Sequence, residues 1–208
     1  MGMNLLMPIL PLHGPRRIRR NSGAGFIDGE VSDTFHAISQ GIHDIRCWMR
    51  WIRETQDLPD GAQQPGVLGY SLGGYHAALL ACLEPELACV IAGIPLTDLP
   101  GALWRHMPTQ QRRFLKALGL KRPVLTQALA PVSPLAMSPV VDADRLTIFA
   151  ASADRIVPPE QAARLANYWG IEPVWYEGAH LSVSREAVVA QALKQAWANA
   201  GLIRLNQA

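Results

Sequence analysis

One short pattern constrains the fold of this chain more than any other: an apolar pair, a glycine–serine–glycine turn and a helical stretch follow one another directly. Residues 67–68 predict the end of a buried strand, and residues 76–83 predict a helix. The spacing Gly69-x-Ser71-x-Gly73 suits a sharp strand-to-helix turn that holds a serine hydroxyl clear of the backbone. Since Gly69 and Gly73 lack Cβ atoms, we expect both to permit close approach of neighbouring backbone.

Apolar strands and amphipathic helices alternate on both sides of this turn. A long helix is predicted from Asp33 to about Glu54, and we expect Trp48 and Trp51 to extend its buried face. Further strands are predicted at 87–93, 145–150 and 172–176, and further helices at 159–169 and 184–200. Continuous apolar strands that alternate with helices are typical of an α/β fold, with a mostly parallel sheet and helices on both faces.

Two segments depart from this alternation. Residues 4–12 are apolar and predict a buried strand that leads into a loop, although Pro8 and Pro11 each lack a ladder donor. Residues 94–139 are rich in proline, with one amphipathic piece at about 110–118, and predict a small lid-like excursion over the sheet edge. We expect residues 1–208 to form a single domain that includes this excursion.

Four predicted loops at the carboxyl ends of strands carry chemically suggestive residues. In a parallel sheet these loops converge on one edge, where ligands bind. A serine hydroxyl needs a base such as histidine to become a nucleophile, and that histidine needs a carboxylate to orient it. Ser71, Asp154 and His180 could supply these groups as one hydrogen-bonded chain, and Asp98 is the main alternative acid. The remaining loop begins at His13-Gly14.

Three segments, each after a predicted strand, carry a resemblance to a known family. They are Gly69-Tyr70-Ser71-Leu72-Gly73-Gly74, Ala153-Asp154-Arg155-Ile156-Val157-Pro158 and Gly178-Ala179-His180. Their order resembles that of α/β-hydrolases of the serine esterase or lipase type, over about residues 5–197. The resemblance implies Ser71 as nucleophile, His180 as base and Asp154 as orienting acid. It implies an esterase that acts on a small-molecule ester through an acyl-enzyme.

The resemblance also implies an oxyanion hole. One donor would be the Leu72 backbone N–H, and the other would come from the loop at His13 and Gly14, where Pro15 has no N–H to offer. The predicted strand before this loop begins almost at residue 1, where the family normally has two earlier strands, so we expect either a reduced form of the fold or a fragment of it. A peptidase, a thioesterase or an acyltransferase could share the triad, and a non-catalytic binding protein could share the fold.

Charge and composition bound the remaining possibilities. A net charge of +2 gives no argument for a nucleic-acid partner. Since no apolar run reaches the ~18–20 residues of a membrane span, and no basic segment precedes the apolar start, we expect a cytoplasmic protein. We expect no cofactor and no metal ion, with His36 and His43 solvated or packed. The arginines at 16, 17, 19 and 20 could attract an anionic substrate group, but we expect them to be solvated or paired with Asp28, Glu30 or Asp44. The oligomeric state is left open.

Overall fold

A parallel β-sheet lies at the centre of the computed structural model, which describes residues 3–27, 30–55 and 64–204. Within these residues the sheet has four strands, in the order β1-β2-β3-β4, and every neighbouring pair is parallel. The strands are β1 (Gly66–Tyr70), β2 (Cys89–Gly93), β3 (Leu146–Ala151) and β4 (Val174–Tyr176). The predicted α/β class and parallel sheet are confirmed.

Helices cover both faces of the sheet, as predicted. The described helices are α1 (Val31–Thr55), α2 (Leu72–Ala81), α3 (Leu99–His106), α4 (Thr109–Ala117), α5 (Arg122–Ala128), α6 (Pro159–Trp169) and α7 (Ala187–Asn199). Successive side chains of β2 point to opposite faces. Val90 and Ala92 therefore join the core formed with α1, α2 and α6, whereas Ile91 packs on the α7 side.

Helix α6 shows how local sequence sets the element bounds. Its predicted range of 159–169 is confirmed, because both ends carry strong local determinants. Pro159 occupies the first turn, where a backbone N–H has no intrahelical acceptor, so the lack of one in proline costs no hydrogen bond. Gly170 ends the helix with a φ of +69°, a left-handed conformation that glycine adopts without steric cost.

The prediction of a strand at residues 4–12 is wrong. The described part of this segment, apart from a turn at its end, has no regular secondary structure, and its Leu5 and Met7 side chains are 75% and 76% exposed. Pro8 and Pro11 cannot donate to a ladder, and among the described strands only β2 pairs with β1. Apolar composition alone therefore did not make this segment a strand.

The expected burial of two tryptophans on α1 is also wrong. Trp48 and Trp51 are 42% and 44% exposed and pack edge-to-face on each other, with ring centroids 5.6 Å apart. The buried stripe of α1 consists of Thr34, Ala37, Ile38, Gly41, Ile42 and Met49. Both tryptophans fall outside this stripe, which smaller side chains fill.

The excursion between β2 and β3 consists of α3, α4, α5 and short turns. The amphipathic piece predicted near 110–118 is α4. The later part of the excursion is fixed to α2, because the Tyr75 hydroxyl donates a 2.5 Å hydrogen bond to the Val132 carbonyl and Cys82 Sγ lies 3.3 Å from the Met137 carbonyl oxygen. Leu125 and Leu129 of this part are buried. Helix α4, in contrast, has no buried residue among those described.

Helix α2 packs so closely on the sheet that only glycine fits at position 74. A Cβ atom on Gly74 would lie 2.7 Å from the Gly93 carbonyl oxygen and 3.1 Å from Pro95 Cα. A Cβ atom on Gly73 would meet no atom within 4 Å. The prediction that Gly73 itself provides space for neighbouring backbone is therefore wrong, and Gly74 has that role.

These two adjacent glycines provide a matched test of the α2 contact. We expect Gly74→Ala to lower the free energy of unfolding by about 2 kcal/mol, because backbone atoms must shift to admit the methyl group. Gly73→Ala should leave it unchanged or raise it by up to ~1 kcal/mol, since alanine favours the helix. Urea unfolding of both variants measures the difference. Equal effects would contradict the assigned contact.

A buried histidine lies where α1 packs against α2. His76 donates a 2.8 Å hydrogen bond from Nδ1 to the Leu72 carbonyl, and a Cβ atom on Gly41 of α1 would lie 2.8 Å from its Nε2. Burial lowers the pKa of His76 from 6.5 to about 4, helped by the charge of His13 and opposed by the hydrogen bond to Leu72. His76 is therefore a neutral core residue at pH 7.

The low pKa of His76 predicts a loss of stability in mild acid. The unfolded chain binds a proton at this histidine near pH 6.5, whereas the folded chain binds it only near pH 4. The free energy of unfolding should therefore fall by up to ~3 kcal/mol as the pH drops through this window. We expect His76→Gln to reduce this pH dependence in urea unfolding, whereas His36→Gln, at an exposed site, should not. Identical profiles for unmodified and His76→Gln protein would refute the assignment.

Candidate active site

Ser71 occupies a strained turn between β1 and α2. Its backbone has φ +54° and ψ −114°, a conformation that residues with a side chain rarely adopt. Three backbone hydrogen bonds hold it. The Ser71 N–H donates to Gly93 O at 2.9 Å, and the Ser71 carbonyl accepts from the N–H groups of Tyr75 at 3.0 Å and Leu96 at 3.2 Å. The turn is thus fixed by the ends of two neighbouring strands.

The glycine before the serine is required by a close backbone approach. A Cβ atom on Gly69 would lie 1.9 Å from the Gly73 carbonyl oxygen and 2.8 Å from the Gly74 nitrogen. No side chain can occupy that position while α2 begins where it does. The first glycine of the motif is therefore dictated by sterics, as the sequence analysis predicts.

Asp154 and His180 form a buried pair at the carboxyl end of the sheet. The His180 Nδ1–H donates to Asp154 Oδ2 at 2.6 Å, and the two side chains are 10% and 2% exposed. The other oxygen, Oδ1, accepts from the N–H groups of Ile156 at 2.8 Å and Val157 at 2.9 Å. Because a carboxylate only accepts hydrogen bonds, the proton of neutral His180 lies on Nδ1, and the Nε2 lone pair is free.

Backbone hydrogen bonds beyond the strands bring the two loops of this pair together. The Ser152 N–H donates to Tyr176 O at 2.9 Å, and the Ala153 N–H donates to Gly178 O at 3.1 Å. These bonds extend the contact between β3 and β4 into the loops, up to the residue before Asp154. The position of the acid relative to His180 therefore follows from strand register.

The structure leaves the hydroxyl of the predicted nucleophile outside this pair. Within residues 3–27, 30–55 and 64–204, Ser71 Oγ makes no hydrogen bond to His180. The Asp154–His180 contact is present, whereas the full hydrogen-bonded chain through Ser71 stays a prediction.

The alternative acid, Asp98, has other partners. Its Oδ1 accepts from the Gly101 N–H at 3.0 Å and caps α3, and its Oδ2 lies 2.5 Å from the Arg122 guanidinium. The Asp98 N–H also donates to the Gln161 side chain at 2.8 Å. These contacts give Asp98 a structural role at the base of the excursion, and Asp154 is the acid that meets His180.

The predicted oxyanion donors differ in availability. Leu72 is the first residue of α2, so its N–H has no intrahelical acceptor. The N–H of His13 donates to Leu10 O at 3.2 Å, and that of Gly14 donates to Ser22 Oγ at 2.9 Å. The contact with Ser22 could not be predicted, because composition does not show which loop atom a hydroxyl eight residues away will reach.

The loop around His13 is held by its own contacts. The His13 Nδ1–H donates to Pro11 O at 2.8 Å, and its ring lies edge-on to Phe26, with centroids 5.6 Å apart. Leu12, the residue before it, has a strained φ of +64°. Arg16 pairs with Asp44 at 2.6 Å. An ion pair expected for this arginine is therefore present, whereas Asp28 lies outside the described residues.

Neither a metal-binding cluster nor a membrane-crossing helix occurs among the described residues. In the part of the chain that the structure describes, no group of three or more His, Cys, Asp or Glu residues is arranged to hold a metal ion. No helix found there has the length and apolar character needed to cross a membrane.

Comparisons with known proteins can now be set beside this geometry. No protein-family model matches the chain. Two uncharacterized proteins of Mycobacterium tuberculosis, from strains CDC 1551 and H37Rv, are each 36% identical over 206 residues. The match covers 98% of this chain and 48% of each relative, so the chain spans about half the length of these curated relatives.

Solved structures share the backbone arrangement at low sequence identity. Alpha/beta hydrolase domain-containing protein 10 from mouse is 14% identical with a TM-score of 0.51, over 76% of this chain and 67% of that chain. An esterase from Thermogutta terrifontis, solved with butyrate bound, is 21% identical with a TM-score of 0.54, over 82% and 69%. An acetyl ester-xyloside bifunctional hydrolase from Caldicellulosiruptor lactoaceticus is 18% identical with a TM-score of 0.54, over 79% and 67%. Together with the parallel sheet and its helices, these likenesses show that the chain has the fold of the α/β-hydrolase superfamily.

Proposed function

We propose that this protein is a serine hydrolase that cleaves small carboxylic esters through an acyl-enzyme intermediate. The observation that carries the proposal is the buried contact between His180 Nδ1 and Asp154 Oδ2, at 2.6 Å, on the edge of the sheet where Ser71 occupies its strained turn. A histidine oriented by a buried carboxylate on this edge is the arrangement that a serine nucleophile requires.

In the proposed reaction, the Nε2 lone pair of His180 takes the proton of the Ser71 hydroxyl as its oxygen attacks the ester carbonyl. Asp154 fixes the reactive tautomer and stabilises the imidazolium that forms. His180 then gives the proton to the departing alcohol, and an ester bond forms between Ser71 and the acyl group. Water attacks this acyl-enzyme with His180 again as base, so the carboxylic acid is released and Ser71 regains its proton.

The negative charge that develops on the carbonyl oxygen needs amide donors. The Leu72 N–H at the start of α2 is available, and the positive end of the helix dipole favours the charge. A second donor is proposed from the loop at His13 and Gly14. For Gly14 to fill this role, its N–H must leave Ser22 Oγ, to which it donates at 2.9 Å. One such donor contributes about 3 kcal/mol of transition-state stabilisation.

The ester substrate is supported by chemistry and by analogy. The three proposed groups need no cofactor to hydrolyse an ester, and two of the compared structures are named as an esterase and as an acetyl ester hydrolase. A peptidase, thioesterase or acyltransferase would use the same three groups, so substrate panels must separate these activities. A cytoplasmic location stays a prediction.

A second candidate is a non-catalytic binding protein with the same fold. Two observations favour it: in the described chain Ser71 Oγ makes no hydrogen bond to His180, and the N–H groups of both His13 and Gly14 have other acceptors. A protein of this kind would bind a ligand at the same edge of the sheet without forming an acyl-enzyme.

Replacement of the nucleophile separates the two candidates. We expect the unmodified protein to hydrolyse p-nitrophenyl esters and to be labelled by a fluorophosphonate. Ser71→Ala should abolish both, with a roughly millionfold loss in kcat. Ser39→Ala, at a serine whose hydroxyl bonds to Phe35 O on α1, is the matched control and should retain both. Unmodified protein that is neither labelled nor active would favour the binding protein.

Two aspartates provide a matched test of the acid. Asp154→Asn should lower kcat roughly 10,000-fold, because the amide can hold His180 in the unproductive tautomer. Asp98→Asn keeps an oxygen to cap α3 and weakens only the ion pair with Arg122, so activity should remain close to that of the unmodified protein. Steady-state ester hydrolysis measures both. Loss of activity in Asp98→Asn alone would reverse the assignment.

A further inference from the structure

The part of the excursion between Asp98 and Asp142 concentrates positive charge. Residues 99–141 contain six basic residues and no acidic residue: Arg105, Arg112, Arg113, Lys116, Lys121 and Arg122. Since the whole chain has a net charge of only +2, the remainder carries −4. The small net charge of the whole chain is therefore the sum of one strongly cationic segment and an acidic remainder.

The outer side of α4 combines this charge with exposed apolar side chains. Phe114 is 62% exposed, and Leu118, at the C-terminal end of the helix, is 59% exposed. Residues four apart lie on the same side of a helix, so the two form one apolar strip. Arg113 is exposed beside this strip, and Lys121 is exposed just after the helix.

The opposite side of α4 faces the rest of the excursion. Arg112 donates a 3.3 Å hydrogen bond to the Trp104 carbonyl of α3, and Lys116 Nζ lies 5.9 Å from the centroid of the Trp104 ring. Phe114 therefore lies on the side of α4 that does not contact α3, where its side chain is exposed. Within the described chain, the side chains of Arg113 and Lys121 have no ion-pair or hydrogen-bond partner.

We propose that the outer side of α4, with Arg113, Phe114 and Leu118, and Lys121 just after the helix together bind the surface of an anionic lipid membrane. A short amphipathic helix with basic residues beside large apolar ones can insert its apolar side chains at the headgroup boundary while the cations meet lipid phosphates and carboxylates. The proposal does not depend on ester hydrolysis. It describes a surface contact, compatible with the absence of a membrane-crossing helix among the described elements.

Charge argues for an anionic lipid surface over a symmetric dimer. In a two-fold interface the same patch meets itself, so Arg113 and Lys121 would face their own copies. No acidic residue in 99–141 could offset that repulsion. An anionic bilayer provides the complementary charge together with an apolar interior.

Sedimentation with lipid vesicles tests the proposal on the full chain. We expect the protein to bind vesicles of three parts phosphatidylcholine to one part phosphatidylserine, and not pure phosphatidylcholine vesicles. Arg113→Gln/Lys121→Gln should weaken binding roughly 25-fold, about fivefold for each charge removed. Arg164→Gln/Lys194→Gln removes the same charge from exposed sites on α6 and α7, and should have little effect. Molar salt should release the protein, because it screens the cations.

The apolar strip has its own variant. Phe114→Ser/Leu118→Ser should also reduce vesicle binding, and an unchanged melting temperature would show that the fold persists. Equal losses in the two charge variants would overturn the proposal, as would equal binding to both vesicle types. Failure to bind phosphatidylserine vesicles would overturn it too. It would also be overturned if the free protein binds no vesicles but self-associates, and if Arg113→Gln/Lys121→Gln abolishes that self-association.

Discussion

The strained backbone of Ser71 is the constraint on which the arrangement of this sheet edge depends. A residue with a side chain at positive φ costs of order 1–3 kcal/mol and persists only when its surroundings hold it there. Here the surroundings are three backbone hydrogen bonds, one of them to Gly93 at the end of β2. They can form because Gly69 and Gly74 let α2 begin against the sheet without a Cβ atom in the way. The turn at Ser71 is thus a property of two strands and one helix together.

The Asp154–His180 pair depends on the same sheet in a different way. Burial of a carboxylate is costly unless hydrogen bonds replace the lost water. Asp154 meets this requirement with two loop amides on one oxygen and the His180 ring on the other. The loops that carry the pair are joined by backbone bonds that continue the register of β3 and β4. The acid and base are therefore fixed with respect to each other before any ligand binds.

Local sequence predicted the elements whose determinants are local. Helix α6 has Pro159 at its start and Gly170 after its end, so its bounds followed from backbone chemistry. The strand prediction for residues 4–12 failed because apolar composition cannot show whether a neighbouring strand is available for pairing. Trp48 was misplaced because burial depends on which part of α1 meets α2, and smaller residues such as Gly41 form that contact.

In the candidate site, too, some features could be predicted from the sequence and others could not. That the loops of Ser71, Asp154 and His180 lie at one edge of the sheet could be predicted, because parallel strands bring their following loops to one edge. The hydrogen bond from the Gly14 N–H to Ser22 could not, because it depends on the path of an irregular loop. The choice between two acids likewise needed coordinates, because both aspartates follow strands. Asp98 caps α3 and pairs with Arg122, whereas Asp154 contacts His180.

The attachment of the excursion to α2 has a consequence for how this protein can diversify. The hydrogen bond from Tyr75 to Val132 joins the later part of the excursion to the helix that begins at Ser71. Substitutions near Val132 can therefore be transmitted to the serine turn and should be tolerated poorly over evolution. Helix α4 has no such attachment to the core and no buried residue. Sequence drift, insertions and new surface chemistry can accumulate there while the geometry around Ser71 is preserved.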